Sequence, residues 1–343
     1  MQTRIVERSR LLDERGRLRQ RGYATALLAE YRREDIKASR FRIKEWDYYL
    51  VHNREYGIAL TVADNSYLGA VSISFLDFVH ADFKTTTTVL PFTFGKLGMP
   101  ESSESGDLVV RRKNFEFAFL QEAGGRRLKV QYKRFRDEED FVCDVLLSGE
   151  PGDSMVIATP FAEDAKAFYY NQKINCMRAE GFFSIGTQTF LFCPEDAVAL
   201  LDWGRGVWTY SNTWYWGSAS GYINGECFGF NIGYGFGDTS AATENMLFYK
   251  GVAHKLDQVT FNIPVKEGKF DYLFPWSFTS NDGRLKMDFV PVLDRKDYTS
   301  VGFIVTDQHQ VFGHFSGKVV LDNGDILEIR NLLGFAERVA NKW

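Results

Sequence analysis

The chain lacks the devices by which a protein is stapled, metallated or anchored. Its four cysteines, Cys143, Cys176, Cys193 and Cys227, are scattered, with no C-x-x-C pair and no histidine at ligand spacing. That excludes a zinc knuckle or a redox motif and leaves buried, reduced thiols. His309 and His314 are five apart in a strand-like segment, on opposite faces, and so cannot share a metal. A net charge of -4 with interspersed signs provides no basic field for a nucleic acid. No apolar run is long enough to span a bilayer, and the opening Met1-Gln2-Thr3-Arg4 runs into a charged stretch through Arg21 without the apolar core of a secretory signal. A cytoplasmic protein without a transmembrane segment is the expectation. Gly233, Gly235 and Gly237 lack the strand-then-helix setting of a phosphate loop, and Gly217-Ser218-Ala219-Ser220-Gly221 lacks a serine at the third position of a nucleophile elbow. Neither cofactor nor metal is expected.

What is abundant is aromatic: 15% of 343 residues are Phe, Tyr or Trp, which favours strands and large cores. Helix formers concentrate before Ile36, notably over Tyr23 to Tyr31, and predict a short helical arm over residues 1–40. From Trp46 the period changes to two, as in Leu128-Lys129-Val130-Gln131-Tyr132-Lys133, where apolar side chains face one way and polar ones the other. Asp64-Asn65-Ser66, Gly124-Gly125, Lys250-Gly251, Asn281-Asp282-Gly283 and Asp322-Asn323-Gly324 are turn signals. A helical pattern returns only over Ala336 to Trp343. The predicted fold class is therefore all-β: two consecutive antiparallel barrels or strongly curved sheets, over residues 41–180 and 181–343, with a short helix at each end. Pro91 to Asp107 reads as a long loop able to cover an opening.

Chemistry concentrates in one window. Trp203, Trp208, Trp214 and Trp216, four of the seven Trp, fall beside Asp202 and Arg205, followed by Asn231, Asp238, Glu244 and Asn245. An acid among indoles is desolvated, which raises its pKa and suits it to proton donation. Asp202, Arg205 and Glu244 are the candidate catalytic residues. Trp203, Trp208, Tyr210, Trp214, Trp216, Asn231, Asn245, His254 and Lys255 are the candidate ligand-binding residues. The same residues admit plainer readings: Asp202 and Arg205 as an ion pair fixing a turn, the indoles as core, His254 and Lys255 as hairpin residues.

Several motifs together resemble a known family. These are Lys44-Glu45-Trp46-Asp47-Tyr48-Tyr49, Leu201-Asp202-Trp203-Gly204-Arg205-Gly206, Asn231-Ile232-Gly233-Tyr234-Gly235, Glu244-Asn245, His254-Lys255-Leu256, Phe289-Val290-Pro291, Asp294-Arg295 and His309 to Gly317. The family is the bacterial domain of unknown function 2804, and the likeness spans almost the whole chain. More remotely the layout is similar to double lipocalin-like proteins such as carotenoid hydratases and tocopherol cyclase. That resemblance implies an acid-type hydratase, cyclase or isomerase acting on a largely apolar small molecule at the domain junction. Two alternatives stand beside it: a glycoside-cleaving enzyme pairing Asp202 with Asp238 or Glu244, and a non-catalytic carrier of a hydrophobic ligand.

Overall fold

A computed structural model describes residues 2–302 and 304–343. Two large antiparallel sheets account for most of them. The first has 13 strands, and its main path runs from the edge strand Asp82–Pro91 through Leu68–Asp77, Tyr56–Asp64 and Ile43–His52 to Val198–Val207 and Asp164–Ile185. The second has nine strands, with Ser211–Ile223, Ile326–Lys342, Ile304–Val320 and Leu285–Val301 at its centre. The chain crosses from one sheet to the other at Trp208 to Tyr210. Asp164–Ile185 and Val198–Val207 both lie in the first sheet, so sheet membership changes after Val207 rather than near residue 180.

The turn signals hold. Gly124 and Gly125, Lys250 and Gly251, Gly283 and Gly324 all have positive φ and join consecutive strands, and Asp64 Oδ1 accepts from the Ser66 amide at 3.0 Å.

Both expected terminal helices are corrected: the described residues contain no α-helix, only 3-10 turns at Arg33–Asp35 and Arg40–Arg42. In the arm, Gly22–Ala24 adds to the first sheet beside Met155–Phe161, and Ala29–Glu30 pairs in parallel with Ser9–Arg10. At the other end Ile326–Lys342 is a central strand, bonded on both sides. Helix propensity is a weak prior, and a ladder that satisfies every backbone group on two flanks outweighs it.

Each sheet curls into a half-barrel around its own apolar core. Val51, Leu60, Val71, Phe117, Phe141 and Phe183 fill the first, and Phe228, Phe230, Phe278, Phe289 and Phe315 the second. The opposite faces meet back to back through Tyr48, Leu50, Leu200, Trp216, Phe312 and Phe335. Strand alternation produces this division directly. Tyr49 and Val51 face the first core, while Tyr48 and Leu50 between and beside them face the second sheet.

The Pro91 to Asp107 segment closes the first half-barrel. Asp64 accepts from Thr93 Oγ1 at 2.8 Å and from the Gly95 amide at 2.8 Å, Leu97 and Met99 are buried, and the Pro100 carbonyl accepts from Arg205 Nη2 at 2.7 Å. No described residue of this segment lines the space between the sheets.

Candidate functional site

Where the two sheets separate, they enclose a cavity of about 890 Å³. Its walls are built from ladder rows, in which directly opposed residues of neighbouring strands present side chains to the same side. On the first sheet one row reads Lys173, Asp202, Tyr48, Thr61, Ser72 and Thr87, each paired with the next across a strand boundary, and all six line the cavity. On the second sheet a row reads Trp216, Glu337, Gln310 and Arg295, and a parallel one Trp214, Val339, Gln308 and Asp297; these also line it.

Lys173 organises the first wall. Its ammonium lies 3.2 Å from Asp202 Oδ1 and 3.9 Å from Glu244 Oε2, donates to the Tyr169 hydroxyl at 3.4 Å, and stands 3.9 Å from the Trp216 ring centre. Asn171 Nδ2 also donates to Asp202 Oδ1, at 2.6 Å. Asp202 is thus a neutralised, doubly held carboxylate. Burial raises the Glu244 carboxyl, with Lys173 and the Asn231 amide pulling it back. Asn231 is the bracket behind this corner. Its Nδ2 donates to the Glu244 carbonyl at 2.8 Å and its Oδ1 accepts from Trp216 Nε1 at 2.6 Å.

Glu337 is the acid of the second wall. Its Oε1 accepts from Trp214 Nε1 at 2.9 Å and its Oε2 from Gln310 Nε2 at 2.9 Å. Burial pushes its pKa up to about 7, against the downward pull of those two N–H groups, Arg295 and Lys173. This carboxyl therefore changes protonation near neutrality. Tyr48, whose hydroxyl lies 3.5 Å from Gln310 Oε1, is pushed up to about 12 by burial and keeps its proton.

One end of the cavity is an aromatic box. Trp208 packs edge-on against Trp46, Trp214 and Phe236 at centroid distances of 5.3, 5.9 and 4.8 Å, and Trp46 stacks on Tyr169 at 6.1 Å. The buried Trp208 indole N–H has no hydrogen-bond partner. Gly204 makes the box possible, because the Trp46 ring lies so close over it that an added Cβ would meet Cζ2 at 1.9 Å.

Of the residues singled out by sequence, Asp202, Glu244, Trp208, Trp214 and Trp216 line the cavity, with Asn231 bracing them. The remainder sit elsewhere. Arg205 and Trp203 lie on the opposite face of the same strand, since an odd separation from Asp202 reverses the face. Arg205, fully buried, pairs with Asp47 at 3.0 Å, and its guanidinium lies 4.3 Å from the Trp203 ring centre. Asn245 accepts from the Gly233 amide and donates to the Asp257 carbonyl. Lys255, lowered to about 7 by burial, donates to Thr243, Asn245 and Leu256. His254 lies 3.6 Å from Asp322, Tyr210 is 54% exposed, and Asp238 caps the Ser240 amide at 3.0 Å. Sequence reasoning passed over Lys173, Glu337 and Tyr169, and marked Trp46, Tyr48, Gln310 and Arg295 only as parts of family motifs, without a role in the site. No group of described residues has the composition of a metal site, and no described helix is long and apolar enough to cross a membrane.

The architecture is that of an all-β protein of two half-barrels with a cavity between them. The chain belongs to the domain of unknown function 2804 family, whose model matches residues 2–343, as the motif resemblance implies. Among solved structures the fold is similar to kievitone hydratase from Nectria haematococca, with a TM-score of 0.53, 12% identity and 88% of each chain covered. It is also similar to an AttH candidate from Nitrosomonas europaea, with a TM-score of 0.52, 12% identity, and coverage of 90% of this chain and 95% of that one. No curated protein sequence matches.

Proposed function

We propose that the protein is an acid-type enzyme, a hydratase, cyclase or isomerase, acting on a largely apolar small molecule bound between the two sheets. The observation that carries this reading is Glu337, a buried carboxyl poised near pH 7 in the wall of an aromatic-lined cavity. The fold likeness to a protein named as a hydratase supports the reaction class.

In this reading protonated Glu337 delivers its proton to a carbon–carbon double bond. The indole faces of Trp46, Trp208 and Trp214 stabilise the cation that forms. Water captures the cation in a hydration, an internal π bond captures it in a cyclisation, and loss of a neighbouring proton completes an isomerisation. Asp202, held by Lys173 and Asn171 on the wall of the first sheet, is a candidate acceptor for the proton released.

The glycoside-cleaving alternative has less support, because the Lys173 ammonium lies between Asp202 and Glu244 and Asp238 is outside the cavity. The carrier alternative shares the ligand class and differs only in turnover.

The test begins with a thermal-shift screen of isoprenoids, phenolic olefins, fatty lipids and oligosaccharides, since a ligand of the native state raises its melting temperature. The best ligand is then incubated in heavy water and its products weighed. Deuterium on carbon with the wild type, lost in Glu337→Gln while binding persists, is the expected result. Turnover by Glu337→Gln at the wild-type rate removes Glu337 from the mechanism. Binding with no chemical change makes the protein a carrier, and stabilisation by sugars alone restores the glycan reading.

A further inference from the structure

We infer that the ligand is an amphipathic acid, an apolar body with an anionic head, carboxylate or phosphate, and that Arg295 holds the head. This deepens the function proposed above and rests on its placing the ligand between the sheets.

Arg295 stands in the cavity wall without a contact ion pair among the described residues, and the acid that feels its charge, Glu337, lies two strands away in the same ladder row. The Arg295 side chain lines the space, half buried, and among the described residues its hydrogen bond runs from Nη1 to Ser74 Oγ at 2.7 Å. Its Nε is buried without a partner. No described carboxylate forms an ion pair with it within 4.0 Å. Two other buried cations of this region have a contact partner, Lys173 in Asp202 at 3.2 Å and Arg205 in Asp47 at 3.0 Å, and buried Lys44 lies 4.0 Å from the Trp343 ring centre. A half-buried guanidinium with an orphaned N–H costs free energy that an oxyanion in the cavity would offset. Its planar fork suits the two oxygens of a carboxylate or phosphate.

The surroundings agree. Ser74 is itself held by Thr85, Oγ to Oγ1 at 2.8 Å, so the guanidinium is steered from behind. Lys84 and Lys296 line the same end and add positive charge, while the hydroxyls of Ser72 and Thr87, 2.9 Å apart, make the floor polar. Of the carboxyls in the lining, Asp202 and Glu244 face Lys173 and Glu337 is held by Trp214 and Gln310, while Asp297 is exposed to solvent and accepts from Thr299 Oγ1 at 3.4 Å. The aromatic box lies at the other end. Arg295 also shares a ladder row with Gln310 and Glu337. Two strand spacings, roughly 10 Å, therefore separate the head site from the acid, which puts the reacting bond a few carbons from the anion.

Calorimetric titration with three probes of one chain length, decanoate, decyl phosphate and 1-decanol, tests this on the wild type, Arg295→Met and Arg295→Lys. Tighter binding of at least one anion than of the alcohol, on the order of tenfold, is expected for the wild type. Arg295→Met should abolish that preference while still binding decanol, which also shows that the variant is folded, and Arg295→Lys should keep part of it. The anion that gains more identifies the head. Equal binding of all three probes by the wild type, or a preference unchanged in Arg295→Met, overturns the role of Arg295 and leaves the apolar cavity standing. Binding of none overturns both.

Discussion

Trp214 Nε1 donates to Glu337 Oε1 at 2.9 Å, joining an indole that the sequence marks out to a carboxyl that it hides. The bond favours the charged form of Glu337, so its removal should raise a pKa already near neutrality. Trp214→Phe is expected to move the alkaline limb of the pH–rate profile to higher pH, while Trp208→Phe, which lacks that bond, leaves the limb in place. Coincident limbs in wild type and Trp214→Phe would separate Glu337 from catalysis.

Glu337 also makes stability depend on pH. Burial lifts it from 4.5 to about 7. Between those values the folded chain keeps a proton that the unfolded chain has released. Its contribution is therefore fully present at low pH and is lost as pH rises through about 7, at about 1.4 kcal/mol per pH unit within the window. Urea midpoints of wild type and Glu337→Gln across that range should show the wild type losing ground to the variant as pH rises, then running parallel above about pH 7.

Lys173 is buried between two acids, so its loss should be felt in folding before chemistry. Lys173→Met leaves Asp202 and Glu244 facing each other without a cation and should destabilise the protein by about 3–5 kcal/mol. Adding Asp202→Asn to that variant should recover part of the loss in a double-mutant cycle. Strict additivity would mean that the 3.2 Å pair carries no coupling.

Gly204→Ala tests the aromatic box. A Cβ there would meet Trp46 Cζ2 at 1.9 Å, so the indole must swing away. About 1–3 kcal/mol of stability should go, together with ligand-induced stabilisation, whereas Gly225→Ala, with open space around it but a positive φ of 80°, should affect stability alone.

Arg205 separates structure from function. Arg205→Met strands Asp47 in the interior and should cost about 3–5 kcal/mol while leaving ligand affinity within about twofold in whatever fraction remains folded. Asp202→Asn should abolish turnover at a smaller cost in stability, because Glu244, 3.9 Å from the Lys173 ammonium, still faces that cation.

Composition and alternation made the all-β class, the turns and the Trp-rich window legible, because period two and left-handed turn residues are local signals. They did not reveal the partners of that window, which come from strands far along the chain. Glu337 was hidden by a helix-like composition over Ala336 to Trp343, although Phe335, Glu337 and Val339 alternate onto one face and show an acid among apolar neighbours. Tyr169, Asn171 and Lys173 alternate in the same way. Arg205 was placed beside Asp202 by nearness in sequence, where the odd spacing already puts the two on opposite faces. Arg295 is marked in the sequence only as part of the Asp294-Arg295 motif, and its role was not legible there because it depends on which charges the fold brings near it.

Val198–Val207 is a wall shared by two chambers. Asp202 looks into the cavity, while Arg205 and Trp203 look into the closed half-barrel behind. A strand answerable to two interiors has little room to drift, so ligand preference can change only on walls with a free side. Asp82–Pro91 is such a wall: it is the edge of its sheet, largely exposed, and it reaches the cavity with Lys84, Thr85, Thr87 and Val89. Relatives that accept different molecules should therefore differ along this border strand and agree along the partition, and saturation mutagenesis should find the first permissive and the second closed.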